Sequence, residues 1–257
     1  MQFLYTIPIC FLAGMGAGLG TGFAGMSAAA VISPMLATFL GMDPYLAVGV
    51  ALASDVLASA VSAYTYGKHK NLDIKNGIVM MCAVLAMTVA GSAVANMVEK
   101  TTMGSFSVFM TLLLGIKFIV KPVMTTKEAR AQKSRKRQIL ESLLCGIMIG
   151  FICGFVGAGG GMMMLLILTG VLGYELKTAV GTSVFIMAFT ALTGSVSHFV
   201  LGGMPDITVL ALCVLFTLLW ARLAAIWANK ASPKMLNRLT GIILTTLGAA
   251  ILAVNYL

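Results

Sequence analysis

The chain has 257 residues, 60% of them hydrophobic and only 10% charged, with a mean hydropathy of +1.01. Soluble domains carry about 25% charged residues, so a water-exposed globular surface is excluded. The apolar stretches reach the ~20 residues that cross a hydrocarbon core, which makes this an all-α polytopic membrane protein. The net charge is +9, and eight of the seventeen Lys and Arg fall between Lys117 and Arg137. No folded domain accompanies that basic run, so nucleic acid is set aside as a partner; a cytoplasmic loop facing anionic lipid accounts for it.

In chain order, the N-terminus MQFLYTIPIC has no positively charged n-region and reads as a retained membrane segment. An apolar stretch over 6–40 is broken by GFAGMSAAA at Gly22–Ala30. The piece after the break, 28–40, rises only ~20 Å at 1.5 Å per residue, short of a ~30 Å core. It is therefore expected to be a half-helix or a re-entrant hairpin. Spans follow at 44–66, 74–98 and 102–122, and then a basic linker over 123–138. A second interrupted stretch, 140–172, is broken at GFVGAGGG. Spans at 178–201, 207–228 and 235–256 complete the chain.

The second series copies the first. A shift of 132 residues lays Gly14, Gly18, Gly22, Phe23 and Gly25 on Gly146, Gly150, Gly154, Phe155 and Gly157. The same shift lays Leu36, Leu40 and Gly41 on Leu168, Leu172 and Gly173, and Ala47-Val48-Gly49 on Ala179-Val180-Gly181. With one inserted residue, Asp73-Ile74 meets Asp206-Ile207. The chain thus divides into a first transmembrane repeat (1–122), the linker (123–138) and a second repeat (139–257). Lys68, Lys70 and Lys75 put the 67–75 loop inside, whereas the equivalent loop 202–206 has no Lys or Arg and falls outside. Equivalent loops on opposite sides define inverted repeats. If each interrupted stretch instead crosses twice, the repeats become parallel.

Two kinds of glycine are present. Gly14, Gly18 and Gly22, like Gly146, Gly150 and Gly154, recur every four residues and make a face for close helix packing. The run Gly157, Gly159, Gly160 and Gly161 is costly inside a helix and marks where the backbone leaves it. The run lacks the Lys of a phosphate loop. Such a break frees N–H groups at the start of the next half-helix, where the dipole favours an anion. Two breaks meeting near the midplane would form an anion site, with Gly25, Met26 and Ser27 from the first half and Gly157, Gly159, Gly160 and Gly161 from the second. Gly181, Thr182 and Ser183 either add hydroxyl donors to that site or form a small-residue helix contact. Asp55, deep in 44–66, is either a proton or cation relay or a neutral acid hydrogen-bonded between helices. His198 is either a proton-handling group or a headgroup-level imidazole. The five cysteines lie in apolar segments without metal-ligand spacing, and Met162, Met163 and Met164 read as packing. No metal, cofactor or catalytic cluster is expected, so the chain is not read as an enzyme.

GFVGAGGG, followed by LKTAVGTS and a later His198, resembles the TauE/SafE sulfite exporter family of membrane permeases, and the first half carries the pattern in weaker form. The resemblance covers nearly the whole chain. It implies transport of a small sulfur-containing anion, such as sulfite or a sulfonate, across the bacterial cytoplasmic (inner) membrane. GMSAAA in place of the glycine run and the presence of Asp55 are departures in the first half. The expected partners are the anionic substrate, protons and membrane lipid, with a homo-oligomer admitted. An anion channel, or a transporter of another small organic anion, would carry a similar pattern.

Overall fold

A computed structural model describes residues 2–95, 113, 116–117, 119–121, 134–156 and 160–256. Among the described residues the fold is all helical and has no strand. The main elements are α1 (Gln2–Ala24), α2 (Ala29–Leu40), α3 (Pro44–Lys68) and α4 (Ile74–Ala95), followed by α5 (Arg135–Val156), α6 (Gly160–Gly170), α7 (Leu176–Gly202), α8 (Ile207–Lys230) and α9 (Pro233–Tyr256). Tyr5–Ala24, Pro44–Lys68, Leu176–Val200 and Ile207–Lys230 are long and apolar enough to cross a membrane. The predicted span 102–122 lies almost wholly outside the described residues.

Local chemistry sets the element ends. Asp43 precedes Pro44, whose fixed φ suits the first helical position, and its Oδ1 accepts from the N–H groups of Tyr45 (3.0 Å) and Leu46 (3.2 Å). Asp206 caps α8 in the same way, through Thr208 N (2.7 Å) and Val209 N (3.3 Å). The short helices α2 and α6 are each followed by a left-handed glycine, Gly41 (φ 61°) and Gly173 (φ 70°). A side chain there would crowd the backbone. The start of α1 and the end of α2 come together, since Tyr5, Thr6, Phe39 and Leu40 line one cavity. The two helices therefore form a hairpin that turns at 25–28.

The spaced glycines decide which helices touch. α1 packs along α8: a methyl on Gly18 would lie 2.7 Å from the Thr217 carbonyl oxygen, and one on Gly22 2.5 Å from Ala224 Cβ. α5 packs along α4 in the same way, where a methyl on Gly150 would lie 2.5 Å from the Val84 carbonyl oxygen. α3 and α7 run antiparallel: Tyr45 stacks on His198 at one end, Leu52 meets Gly194 in the middle, and Tyr66 meets Gly181 at the other. With no hydrophobic force between helices in lipid, such close backbone approach is what holds them.

The two closest contacts at Gly150 are with the Val84 backbone, which cannot swing aside. Gly150→Ala should therefore cost about 1–3 kcal/mol, the usual penalty for overpacking, and lower the melting temperature of the purified protein. An unchanged melting temperature would show that α4 and α5 separate at little cost.

Candidate functional site

The hairpin turn at 25–28 gathers buried polar groups from several helices. A helix that ends within apolar surroundings leaves carbonyls at its C-terminus and N–H groups at the next N-terminus without partners. At the end of α1, the Gly22 carbonyl accepts from the Tyr66 hydroxyl (2.8 Å) and the Phe23 carbonyl from the Thr240 hydroxyl (3.2 Å). The Met26 carbonyl accepts from the Thr21 hydroxyl (2.9 Å). Gly25 makes the turn with φ 61°. A methyl on it would collide with Ser183 Oγ, so both its conformation and its surroundings require glycine.

At the start of α2 the donors converge on one carboxylate. Asp55 is fully buried. Its Oδ2 accepts from the Ser27 hydroxyl (2.8 Å) and the Ala28 N–H (3.1 Å), and its Oδ1 from the Ser59 hydroxyl (2.7 Å). Ser27 Oγ in turn accepts from the Ala29 N–H (3.3 Å). Asp55 thus caps a helix distant in sequence, and its carboxyl group sits at the positive end of the α2 dipole. Beyond it on α3, Ser59, Ser62 and Tyr66 continue as fully buried polar groups, and the Ser62 hydroxyl has no hydrogen-bond partner.

The start of α6 comes to the same place. A methyl on Gly161, in the first turn of α6, would lie 2.7 Å from Ser27 N and 3.0 Å from the Gly25 carbonyl oxygen. Gly160 is the first residue of α6. Gly157 and Gly159 lie outside the described residues. Met26 is fully buried, and its Cε lies in the space beside Gly20.

The remaining sequence candidates divide. Ser183 reaches the turn, and its hydroxyl donates to the Val180 carbonyl (2.9 Å). Gly181 instead lets the 69–73 loop approach, because a methyl there would collide with the Asn71 carbonyl oxygen. Thr182 Oγ1 accepts from the Asp73 N–H (3.2 Å). His198 stands apart, 15 residues beyond Ser183 on α7, or about 22 Å at 1.5 Å per residue. Its Nδ1 lies 3.0 Å from the Tyr45 carbonyl oxygen, and its ring stacks on that of Tyr45. Ser59, Tyr66 and Thr240 were missed in the sequence. Ser59 alone left a signal, as it lies one helical turn from Asp55 on the same face. Among the described residues, no group of three or more His, Cys, Asp and Glu is placed to hold a metal.

Residues 10–251 match the family model described as Sulfite exporter TauE/SafE. A probable membrane transporter protein of Bacillus subtilis, YunE, is 24% identical over 268 residues, spanning 98% of each chain. One from Methanocaldococcus jannaschii is 24% identical over 266 residues, spanning 96% of each. A probable membrane transporter protein of Haemophilus influenzae is 26% identical over 198 residues, 77% of this chain and 75% of its own.

Tyr66→Phe should expose the importance of closing the turn. It leaves the buried Gly22 carbonyl without its hydroxyl donor, at a cost of about 1–3 kcal/mol. The melting temperature should fall; no change would mean that the carbonyl finds another donor.

Proposed function

The chain belongs to the TauE/SafE sulfite exporter family, and from that premise we propose that it is a secondary transporter moving a small sulfur-containing anion, sulfite or an organosulfonate, across the cytoplasmic membrane. It is a multi-pass membrane transporter and not an enzyme. In the proposed arrangement two inverted repeats, 1–122 and 139–257, each begin with a re-entrant broken hairpin, and the linker 123–138 is cytoplasmic. The antiparallel pairing of α3 with α7 supports this, because these helices are equivalent under the 132-residue shift. So does the reciprocal packing of α1 on α8 and α5 on α4.

The observation that carries the transport reading is the oxyanion already present at the first break. Asp55 offers two carboxylate oxygens to the Ser27 hydroxyl, the Ser59 hydroxyl and the Ala28 N–H. Donors that hold a carboxylate fit a sulfite or sulfonate oxygen, which has the same acceptor chemistry. The substrate anion and the Asp55 carboxylate then compete for these donors, and two adjacent anions in an apolar site repel strongly. Protonation of Asp55 removes its charge and releases donors to the substrate, so one proton accompanies each anion. Ser59, Ser62 and Tyr66 give the proton a polar lane along α3. Gly25, Met26, Ser27, Ser183 and the start of α6 at Gly160 and Gly161 form the walls. Thr182, Gly181 and His198 act outside the anion's immediate contacts. Alternating access moves the hairpins relative to the other helices around this point.

Two measurements test the proposal. Asp55→Asn should abolish the dependence of sulfite or sulfonate uptake on a pH gradient in proteoliposomes, with expression near normal. Unchanged pH-driven uptake would make Asp55 purely structural. For the membrane arrangement, Lys68→Cys at the end of α3 and Met204→Cys in the α7–α8 connection place thiols at two exposed positions. An impermeant maleimide should reach them from opposite sides of intact cells; labelling from one side would refute the inverted repeats.

A further inference from the structure

The two ends of the molecule are equivalent in sequence but not in structure. At one end, the start of α1, the end of α2 and the start of α8 surround a cavity of about 690 Å³, lined in part by Thr6, Leu40, Met42, Asp206, Thr208 and Val209. At the other end the equivalent elements are tied together. Asp73 Oδ2 accepts from the Tyr174 hydroxyl (2.9 Å) and from Asn76 Nδ2 (2.7 Å). Asp73 N–H donates to Thr182 Oγ1 (3.2 Å), and Asn76 Nδ2 reaches Gln138 Oε1 at 3.4 Å. One acid thereby joins the start of α4, the α6–α7 connection and α7, and its neighbour Asn76 adds the start of α5. Tyr174 and Leu172 are buried behind these bonds.

The repeat shows why only one end closes. Asp73 and Asp206 are equivalent acids, and each caps its helix. Their surroundings differ in hydrogen-bonding capacity. Shifts of 132 and 133 residues place Met42 where Tyr174 stands, Val50 where Thr182 stands and Val209 where Asn76 stands. A thioether has no proton to donate, and a valine side chain has neither donor nor acceptor. The Asp206 end therefore lacks the donors and acceptor of the latch at these three equivalent positions; the carboxylate accepts from its own helix's Thr208 and Val209 N–H groups, and Tyr5, Thr6 and Thr208 line a cavity beside it.

We infer that Asp73 and Tyr174 form the cytoplasmic gate of the transport path, and that the cavity beside Asp206 is its external entrance, held open in this structure because Met42 cannot close it. The assignment of the two ends to membrane sides rests on the topology proposed above; the difference between an open and a latched end does not. Tyr174 is a positioning residue: its phenol holds the α6–α7 connection against α4 and need not touch the substrate.

The test uses a pair of equivalent positions, Leu40 in the cavity wall and Leu172 behind the latch. Leu40→Cys and Leu172→Cys are each introduced into the full chain, and maleimide labelling of the detergent-purified protein is followed at that residue by peptide mass. Leu40→Cys should react readily and Leu172→Cys slowly. Adding Tyr174→Phe should raise the Leu172→Cys rate and lower the Leu40→Cys rate, each by roughly tenfold, the factor expected for one lost hydrogen bond to a charged acceptor. Met42→Tyr, which offers Asp206 the missing phenol, should move both rates in the same directions by building a latch at the other end. It also keeps the test decisive if Tyr174→Phe folds poorly, since general loosening would raise both rates together. Equal reactivity of the two thiols in the otherwise unaltered chain would overturn the gate, as would rates that neither Tyr174→Phe nor Met42→Tyr moves in opposite directions. Because the protein is in detergent, the rates do not depend on sidedness; failure of the inverted topology would appear only in the loop labelling.

Discussion

A helix broken in apolar surroundings must find hydrogen-bond partners for its own backbone, and the turn at 25–28 shows how much of the molecule that requirement recruits. Each unpaired backbone group would cost several kcal/mol in lipid. The α1 carbonyls draw hydroxyls from α3 and α9 through Tyr66 and Thr240, and the α2 N-terminus draws the carboxylate of Asp55. Four helices are thereby fixed around one turn. That collection of donors is also suited to an oxyanion, so structural need and the proposed transport chemistry meet at the same atoms.

The same economy governs the glycines. Those spaced four apart on α1 and α5 remove side-chain bulk along a whole helix face and let α8 and α4 approach to backbone contact. Since α1 packs on α8 and α5 on α4, the first helix of each half rests on a helix of the other. Neither half could move without sliding along such a seam. Small, closely fitted residues favour two discrete arrangements over continuous deformation. The asymmetric ends fit that picture: the seams are alike, but hydrogen-bonding side chains at the Asp73 end bind elements that the Asp206 end leaves apart.

Composition and periodicity determined much of this protein by themselves. The shortage of charge required a membrane, and glycine placement located the interruptions. α1 ends at Ala24 and α2 begins at Ala29; α5 ends at Val156 and α6 begins at Gly160. These features are local, arising from the backbone's own preferences and from the length needed to cross lipid, so they can be read along the chain. Asp55 was legible as an unusual group because a carboxylate in an apolar span is costly wherever it faces. Only the tertiary structure decided what it faces. Ser27 and Asp55 are 28 residues apart, Gly22 and Tyr66 are 44 apart, and Phe23 and Thr240 are 217 apart. No periodicity encodes such pairs, because they depend on how the helices cross. For the same reason Gly181, adjacent in sequence to Ser183, serves the 69–73 loop while Ser183 meets the turn: successive helical residues point about 100° apart, and the direction of each neighbour is set by packing alone.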